Sequence, residues 1–175
     1  MKHTGLTTAL LLTVLCLISS AASASTWYVN GVSGSDSNDC KSLTTACKTV
    51  GHAISLAASG DSIRVAAATY TENLTISISL KILGSGAKTT ILDGGGVGRV
   101  VTISSPAHVT LSGVTITNGN LTLGYGAGIG NGGVLMLLRS AVSGNRVKFT
   151  GCNCAARGGG IFNGAGATLT IGNSS

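Results

Sequence analysis

Apolar and polar residues alternate in short runs along most of the chain. Ser62-Ile63-Arg64-Val65, Leu74-Thr75-Ile76, Leu80-Lys81-Ile82-Leu83, Thr90-Ile91-Leu92 and Val100-Val101-Thr102-Ile103 carry the period of two expected of strands with one buried face. Val109-Thr110-Leu111 and Val114-Thr115-Ile116 follow, joined by Ser112-Gly113, and Thr26-Trp27-Tyr28-Val29 predicts an earlier strand. One stretch departs from this period. Val50, Ile54 and Ala57 recur at i, i+4 and i+7, with Ala53 and Leu56 beside them, which predicts a single short amphipathic helix ended by Gly60-Asp61. Corners are marked by Gly84-Ser85-Gly86, Asp93-Gly94-Gly95-Gly96, Asn118-Gly119-Asn120 and Ser143-Gly144-Asn145.

The C-terminal part repeats itself. Gly126-Ala127-Gly128-Ile129-Gly130-Asn131 returns as Gly158-Gly159-Gly160-Ile161-Phe162-Asn163, and each copy is followed by a second strand. The offset is 32 residues at Gly126/Gly158 and 33 at Leu138/Ile171, which implies one inserted residue. Glycine corners and short strands recurring at such a period predict a solenoid. Its coils can be counted from Leu80, Val109, Val134 and Thr168, which are 29, 25 and 34 residues apart. A sandwich of hairpins would need matched strands joined by two-residue turns, and these uneven gaps with triple-glycine corners fit it less well. The expected fold is all-β: a single-stranded parallel β-helix over residues 61–175, with strand, loop and capping helix in residues 25–60. The helix would plug the apolar end of the first coil. Asn118, Asn145 and Asn173 each close a strand at a corner and could stack as an asparagine ladder.

Composition adds location. Charged residues are only 9% of the 175, but the one long apolar run lies at the N-terminus, so no transmembrane segment is expected in the mature chain. Residues 1–24 read as a secretory signal peptide: Lys2 and His3 as a polar head, Ala9 to Ile18 as the apolar stretch, and Ala22-Ser23-Ala24 as a small-x-small cleavage site. Cleavage between Ala24 and Ser25 would leave a secreted or cell-surface protein. Leu15 precedes Cys16 where lipid attachment would want a small residue, which argues against a lipoprotein. In an oxidising compartment Cys40 and Cys47 form the natural disulfide, whereas a bridge between Cys152 and Cys154 would be strained. The Cx6C and CxC pairs lie far apart and no His joins either, so no metal site is assigned to them.

The net charge is +6, with Lys and Arg scattered singly from Lys41 to Arg157. Without basic runs interleaved with aromatics, nucleic acid is not expected as a partner. An acidic polysaccharide or anionic cell-envelope polymer is compatible with the charge.

Several stretches together resemble secreted bacterial right-handed parallel β-helix proteins of the pectin-lyase-like superfamily. They are Thr26-Trp27-Tyr28-Val29, Ser33-Gly34-Ser35-Asp36-Ser37-Asn38-Asp39-Cys40, Cys47-Lys48-Thr49-Val50, Gly60-Asp61-Ser62-Ile63, Ala68-Thr69-Tyr70-Thr71-Glu72 and the two repeats. The repeats, with Val142-Ser143-Gly144-Asn145, are also similar to those of polymorphic outer-membrane autotransporter proteins, which carry Phe where Val142 stands. The resemblance implies a right-handed coil. It leaves function open, because the superfamily holds lyases, hydrolases, epimerases, adhesins and inert stalks.

Its lyases gather carboxylates for calcium with an Arg or Lys as base, and its hydrolases pair Asp residues across the scissile bond. Here the acidic residues are five: Asp36, Asp39, Asp61, Glu72 and Asp93. None lies in the repeated coils, so no catalytic residue is assigned. Asp36 and Asp39 are the candidate calcium ligands, the alternative being an Asx-turn loop locked by the disulfide. Asp93 reads as a turn former within reach of Arg99, and Glu72 as a bond to a neighbouring corner. His52 and His108 read as surface or capping residues. Gly128-Ile129-Gly130-Asn131-Gly132-Gly133 matches GxGxxG but is followed by strand text and no acidic residue, which excludes a dinucleotide site. The expected function is a non-enzymatic adhesive or structural protein contacting carbohydrate. The alternatives are a polysaccharide lyase or glycoside hydrolase with active coils beyond Ser175, and an autotransporter passenger fragment, both prompted by a repeat that stops short at Gly172-Asn173-Ser174-Ser175.

Overall fold

The computed structural model describes residues 23–148 and 158–175. The apolar stretch of the expected signal peptide, Cys152 and Cys154 lie outside the described residues. The chain opens with β1 (Thr26–Val29), the helix α1 (Val50–Leu56) and β2 (Ser62–Val65). It continues through β3 (Ala68–Thr71), β4 (Leu74–Ile76) and β5 (Leu80–Gly84), then β6 (Thr90–Asp93), β7 (Val101–Ile103) and β8 (His108–Ser112). The next round is β9 (Thr115–Thr117), β10 (Asn120–Thr122), β11 (Ile129–Asn131) and β12 (Val134–Leu138). The last is β13 (Ala141–Val142), β14 (Arg146–Lys148), β15 (Ile161–Asn163) and β16 (Thr168–Gly172).

All strand pairings are parallel. The longest sheet has six strands in the order β1-β2-β5-β8-β12-β16. Two four-stranded sheets run β3-β6-β9-β13 and β4-β7-β11-β15, and β10 pairs with β14 alone. The chain therefore visits the three larger sheets in rotation. Parallel neighbours need long connections; the disulfide loop and α1 make the one from β1 to β2, and from β2 onward each connection is made of strands belonging to the other sheets. Among the described residues the fold is all-β apart from one helix. The strands β3, β10 and β14 are additional to the expected set, being short runs with little apolar alternation.

Register stacks like on like. Trp27, Ile63, Ile82, Leu111, Leu137 and Ile171 occupy one row across the long sheet. Ile63, Ile82 and Leu111 are fully buried, Leu137 is 1% exposed, and Ile171, on the outermost strand of the row, is 53% exposed. Leu74, Val101 and Ile129 form a second buried row, and Tyr70, Leu92 and Ile116 a third. Each fully buried side chain of this size contributes about 1.5–3 kcal/mol, so the stack of rows is the main stabilising feature.

The repeat offset needs a correction. Ile129 pairs with Ile161 at 32 residues, as expected, but Leu137 pairs with Ile171 and Leu138 with Gly172, at 34. Two residues are inserted, not one. They fall in the second corner, because Gly164–Ala167 must span what Gly132-Gly133 spans in the earlier copy.

The helix covers the start of the core. Its buried residues are Val50 and Ala53, and it packs on β1, β2 and β4. Thr49 caps it by accepting the His52 N–H at 3.2 Å, and Glu72 accepts the Val50 and Gly51 N–H groups at 2.8 Å each. Cys40 and Cys47 are disulfide-bonded. Closing so short a loop removes about 2–3 kcal/mol of unfolded-state entropy. The loop also lies along the free edge of β1: Tyr28 N–H donates to Cys40 O and Cys47 N–H to Tyr28 O, both at 2.9 Å. No described helix is long and apolar enough to cross a membrane.

Candidate functional site

The pleat of the long sheet sends one set of residues inward and the other to solvent. The outward set forms two rows: Thr26, Ser62, Lys81, Thr110, Met136 and Thr170 in one, and Tyr28, Arg64, Leu83, Leu138 and Gly172 in the other, where the register position between Leu83 and Leu138 is taken by the buried Ser112. Tyr28 and Arg64 sit directly opposite each other, and Lys81 lies diagonally from Arg64 on the next strand. Directly opposed side chains are about 5 Å apart at Cβ and diagonal ones about 7–8 Å, so these three form one patch. At the far end Arg139 folds back to donate to Ser112 Oγ at 3.1 Å. No Asp or Glu occurs in any of the six strands.

Two hollows open on this face. One, about 270 Å³, is lined by Tyr28, Asn30, Leu43, Arg64, Leu83 and Ser85 among others. The second, about 340 Å³, includes Ser79, Lys81, His108, Thr110 and Met136 in its lining. The arrangement offers a phenol ring, an aliphatic floor, two cations and several hydroxyl groups, with no carboxylate to repel an anion. That combination suits an extended, hydroxyl-bearing, negatively charged polymer. Neither lining includes a carboxylate, so the carboxylate pair of a hydrolase is not among these residues.

The acidic residues lie elsewhere, each committed to holding the fold. Asp36 accepts the Lys48 and Thr49 N–H groups and the Thr49 hydroxyl, all at 2.9 Å. Burial pushes its carboxyl up, but the Thr49 and Lys48 bonds outweigh it and hold it below the usual range. Asp39 accepts the Lys41 N–H at 3.0 Å, and the Thr45 hydroxyl followed by that N–H lowers its carboxyl. Asp36 therefore ties the disulfide loop to the helix cap. Among the described residues neither belongs to a cluster of three metal-ligating groups.

Asp93 accepts the Gly95 N–H at 2.7 Å and the Asn118 amide at 2.8 Å. Arg99 does not bond to it. Instead Arg99 Nε donates to Gly126 O at 2.8 Å and Nη2 to Tyr125 O at 2.7 Å, with the guanidinium lying across Gly130. A Cβ at Gly130 would come within 2.7 Å of Arg99 Cζ, so a side chain there would push the guanidinium aside.

Asn118, Asn145 and Asn173 do not bond to one another. Asn118 donates to Asp93, and Asn145 accepts the Gly119 N–H at 2.8 Å while donating to Ile116 O and Ser143 O. Asn118 and Asn173 have φ of 57° and 50°, so they shape left-handed corners. An amide-to-amide bond forms instead between Asn131 and Asn163, whose strands pair in register: Asn131 Nδ2 donates to Asn163 Oδ1 at 2.6 Å. Both follow Gly-x-Ile-type text in the repeats, which was the available signal.

No His joins either cysteine pair in the sequence, but the fold brings one beside Cys40 and Cys47. His52 on α1 lies with the Cys40 and Cys47 sulfurs, all potential ligand atoms within 4.8 Å of one another. The sulfurs are shared in the disulfide and are not thiolates, so the trio is not a ligand set in this state. His108 borders the second hollow. Tyr28, Arg64 and Lys81 were not singled out from sequence. Their outward phase follows from the period of two, but their proximity depends on strand register.

The chain matches no protein-family model, and no curated protein is significantly similar to it.

Proposed function

We propose that this is a secreted or cell-surface right-handed parallel β-helix of the pectin-lyase-like kind that binds an acidic polysaccharide or anionic envelope polymer without cleaving it. The hand is supported by chain chirality, since parallel crossovers within a sheet are right-handed in about 98% of cases. Secretion is supported by the leader text and by the disulfide, which belongs to oxidising compartments. The observation that carries the binding reading is the outer face of the long sheet, where Tyr28, Arg64 and Lys81 adjoin and no strand contributes a carboxylate. The non-enzymatic reading is supported by the carboxylates, which are dispersed and bonded to backbone or capping groups.

Arg64→Glu/Lys81→Glu tests it. Affinity for polygalacturonate, measured by affinity electrophoresis at low ionic strength, should fall at least about tenfold, equivalent to about 1.4 kcal/mol. Wild-type binding should weaken as salt shortens the screening length toward about 8 Å. Unchanged affinity in the double variant would place the binding surface elsewhere.

A further inference from the structure

The N-terminal end of the described chain meets a buried carboxylate. Asp61 is only 4% exposed. Its Oδ2 accepts the Trp27 indole N–H at 2.8 Å and the Ala58 N–H at 2.9 Å, and its Oδ1 accepts the Ser25 N–H at 2.7 Å. Ser25 N is the atom that cleavage at the expected signal site would convert from an amide into a primary amine. Ser23 and Ala24, on the other side of that bond, are exposed and make no hydrogen bond to another described residue.

We infer that Asp61 is a built-in receptor for the α-ammonium group created when a signal peptidase hydrolyses the Ala24–Ser25 bond. In that step the carbon–nitrogen bond breaks, the hydroxyl of water goes to the Ala24 carbonyl carbon, and its proton goes to Ser25 N. The amine then takes a further proton from solvent. The bond from Ser25 to Asp61 Oδ1 becomes an ion pair with no movement of the chain. The amide bond is already assisted by the Asp61 charge; the ammonium adds an opposite charge in direct contact with it, and this contact joins the start of β1 to the turn before β2. Removing the leader therefore strengthens the fold it leaves behind. The inference rests on the export reading proposed above.

Nearby charges are few. Lys41, from the disulfide loop, lies 3.1 Å from the Trp27 ring centroid, and its charge favours the Asp61 carboxylate. Lys81 and His108 share the second hollow with Gly60, and Arg64 lies on the outward side of β2. Burial pushes the Asp61 carboxyl up, but the bonds from Trp27, Ala58 and Ser25 hold it below its ordinary value. The Asp61 contribution to stability is therefore present above the ordinary carboxylate range and lost as pH falls through its lowered value. An ammonium ion paired with it has a raised value instead. Its contribution is complete below the ordinary α-amine range, about 7.7–8.0, and is lost as pH climbs through the raised value.

The test is to export the full chain from a secreting host, read its first residue by mass spectrometry, and titrate the α-amine by NMR. The exported protein should begin at Ser25, with its amine titrating about one pH unit or more above the ordinary range. Thermal melts from pH 6 to pH 10 should show an alkaline loss of stability that Asp61→Asn removes. A different first residue, or an uncleaved leader, would overturn the export reading together with the latch. A chain beginning at Ser25 whose amine titrates normally would overturn the latch alone. So would an Asp61→Asn variant that keeps the alkaline limb. The wild-type titration decides the matter even if Asp61→Asn fails to fold.

Discussion

Leu111→Ala should destabilise the protein by about 3–5 kcal/mol, read as a lower denaturant midpoint at unchanged slope. Leu111 is fully buried, and its register partners Ile82 and Leu137 are 0% and 1% exposed. Truncation removes apolar contact on both sides and leaves a void in the middle of a continuous row. The paired strands are held at fixed spacing by their ladders, so the row cannot collapse to fill it. Two comparisons isolate the cause. Thr110→Ala, one residue away and facing outward, should stay within about 0.5 kcal/mol of wild type. Ile171→Ala, in the same row but 53% exposed, should cost far less than Leu111→Ala. A Leu111→Ala variant as stable as Thr110→Ala would mean that the row is not the core.

Asn131→Ala should cost about 2–4 kcal/mol, from the loss of a fully committed buried amide. Asn131 is 1% exposed. Its Nδ2 donates to Asn163 Oδ1 at 2.6 Å and to Thr168 O at 2.9 Å, and its Oδ1 accepts the Gly133 N–H at 3.1 Å. Alanine strands the buried Gly133 donor and removes the bond to Thr168 O. The cost thus comes mainly from the Gly133 N–H left unpaired out of water and from the void at a buried position. Asn163→Ala should cost less, because Asn163 is exposed and water can replace its bonds. Equilibrium unfolding of both variants checks the order, and an equal loss at the two positions would contradict it.

The sequence disclosed the sheet before it disclosed the register. Leu80, Val109, Val134 and Thr168, picked out by alternation alone, open or fall in β5, β8, β12 and β16, which are consecutive neighbours in the long sheet. Yet Val109 pairs with Leu135, one residue beyond Val134. Alternation finds a strand and its phase, but Val134-Leu135-Met136-Leu137-Leu138 is apolar throughout and does not mark which residues turn inward. The asparagines show the same limit. Asn118, Asn145 and Asn131 all stand beside or near glycine. What separates corner formers from the buried rung is backbone φ and strand phase, which residue type alone does not encode.

The candidate binding face was legible only in part. Charge allowed an anionic polymer as partner, and the scarcity of carboxylates argued against catalysis. That Tyr28, Arg64 and Lys81 adjoin depends on pairing across 36 and 19 positions of chain, which no local pattern reveals. The contact of His52 with the disulfide is similar: four residues separate it from Cys47, but the loop and helix must both fold before the two meet.

The most direct measurement is to incubate the exported protein with polygalacturonate and calcium, following complex formation by affinity electrophoresis and unsaturated products by ultraviolet absorbance. Salt-sensitive retardation with no rise in absorbance is the predicted result. A steady accumulation of unsaturated product, or no retardation at low salt, would contradict the account.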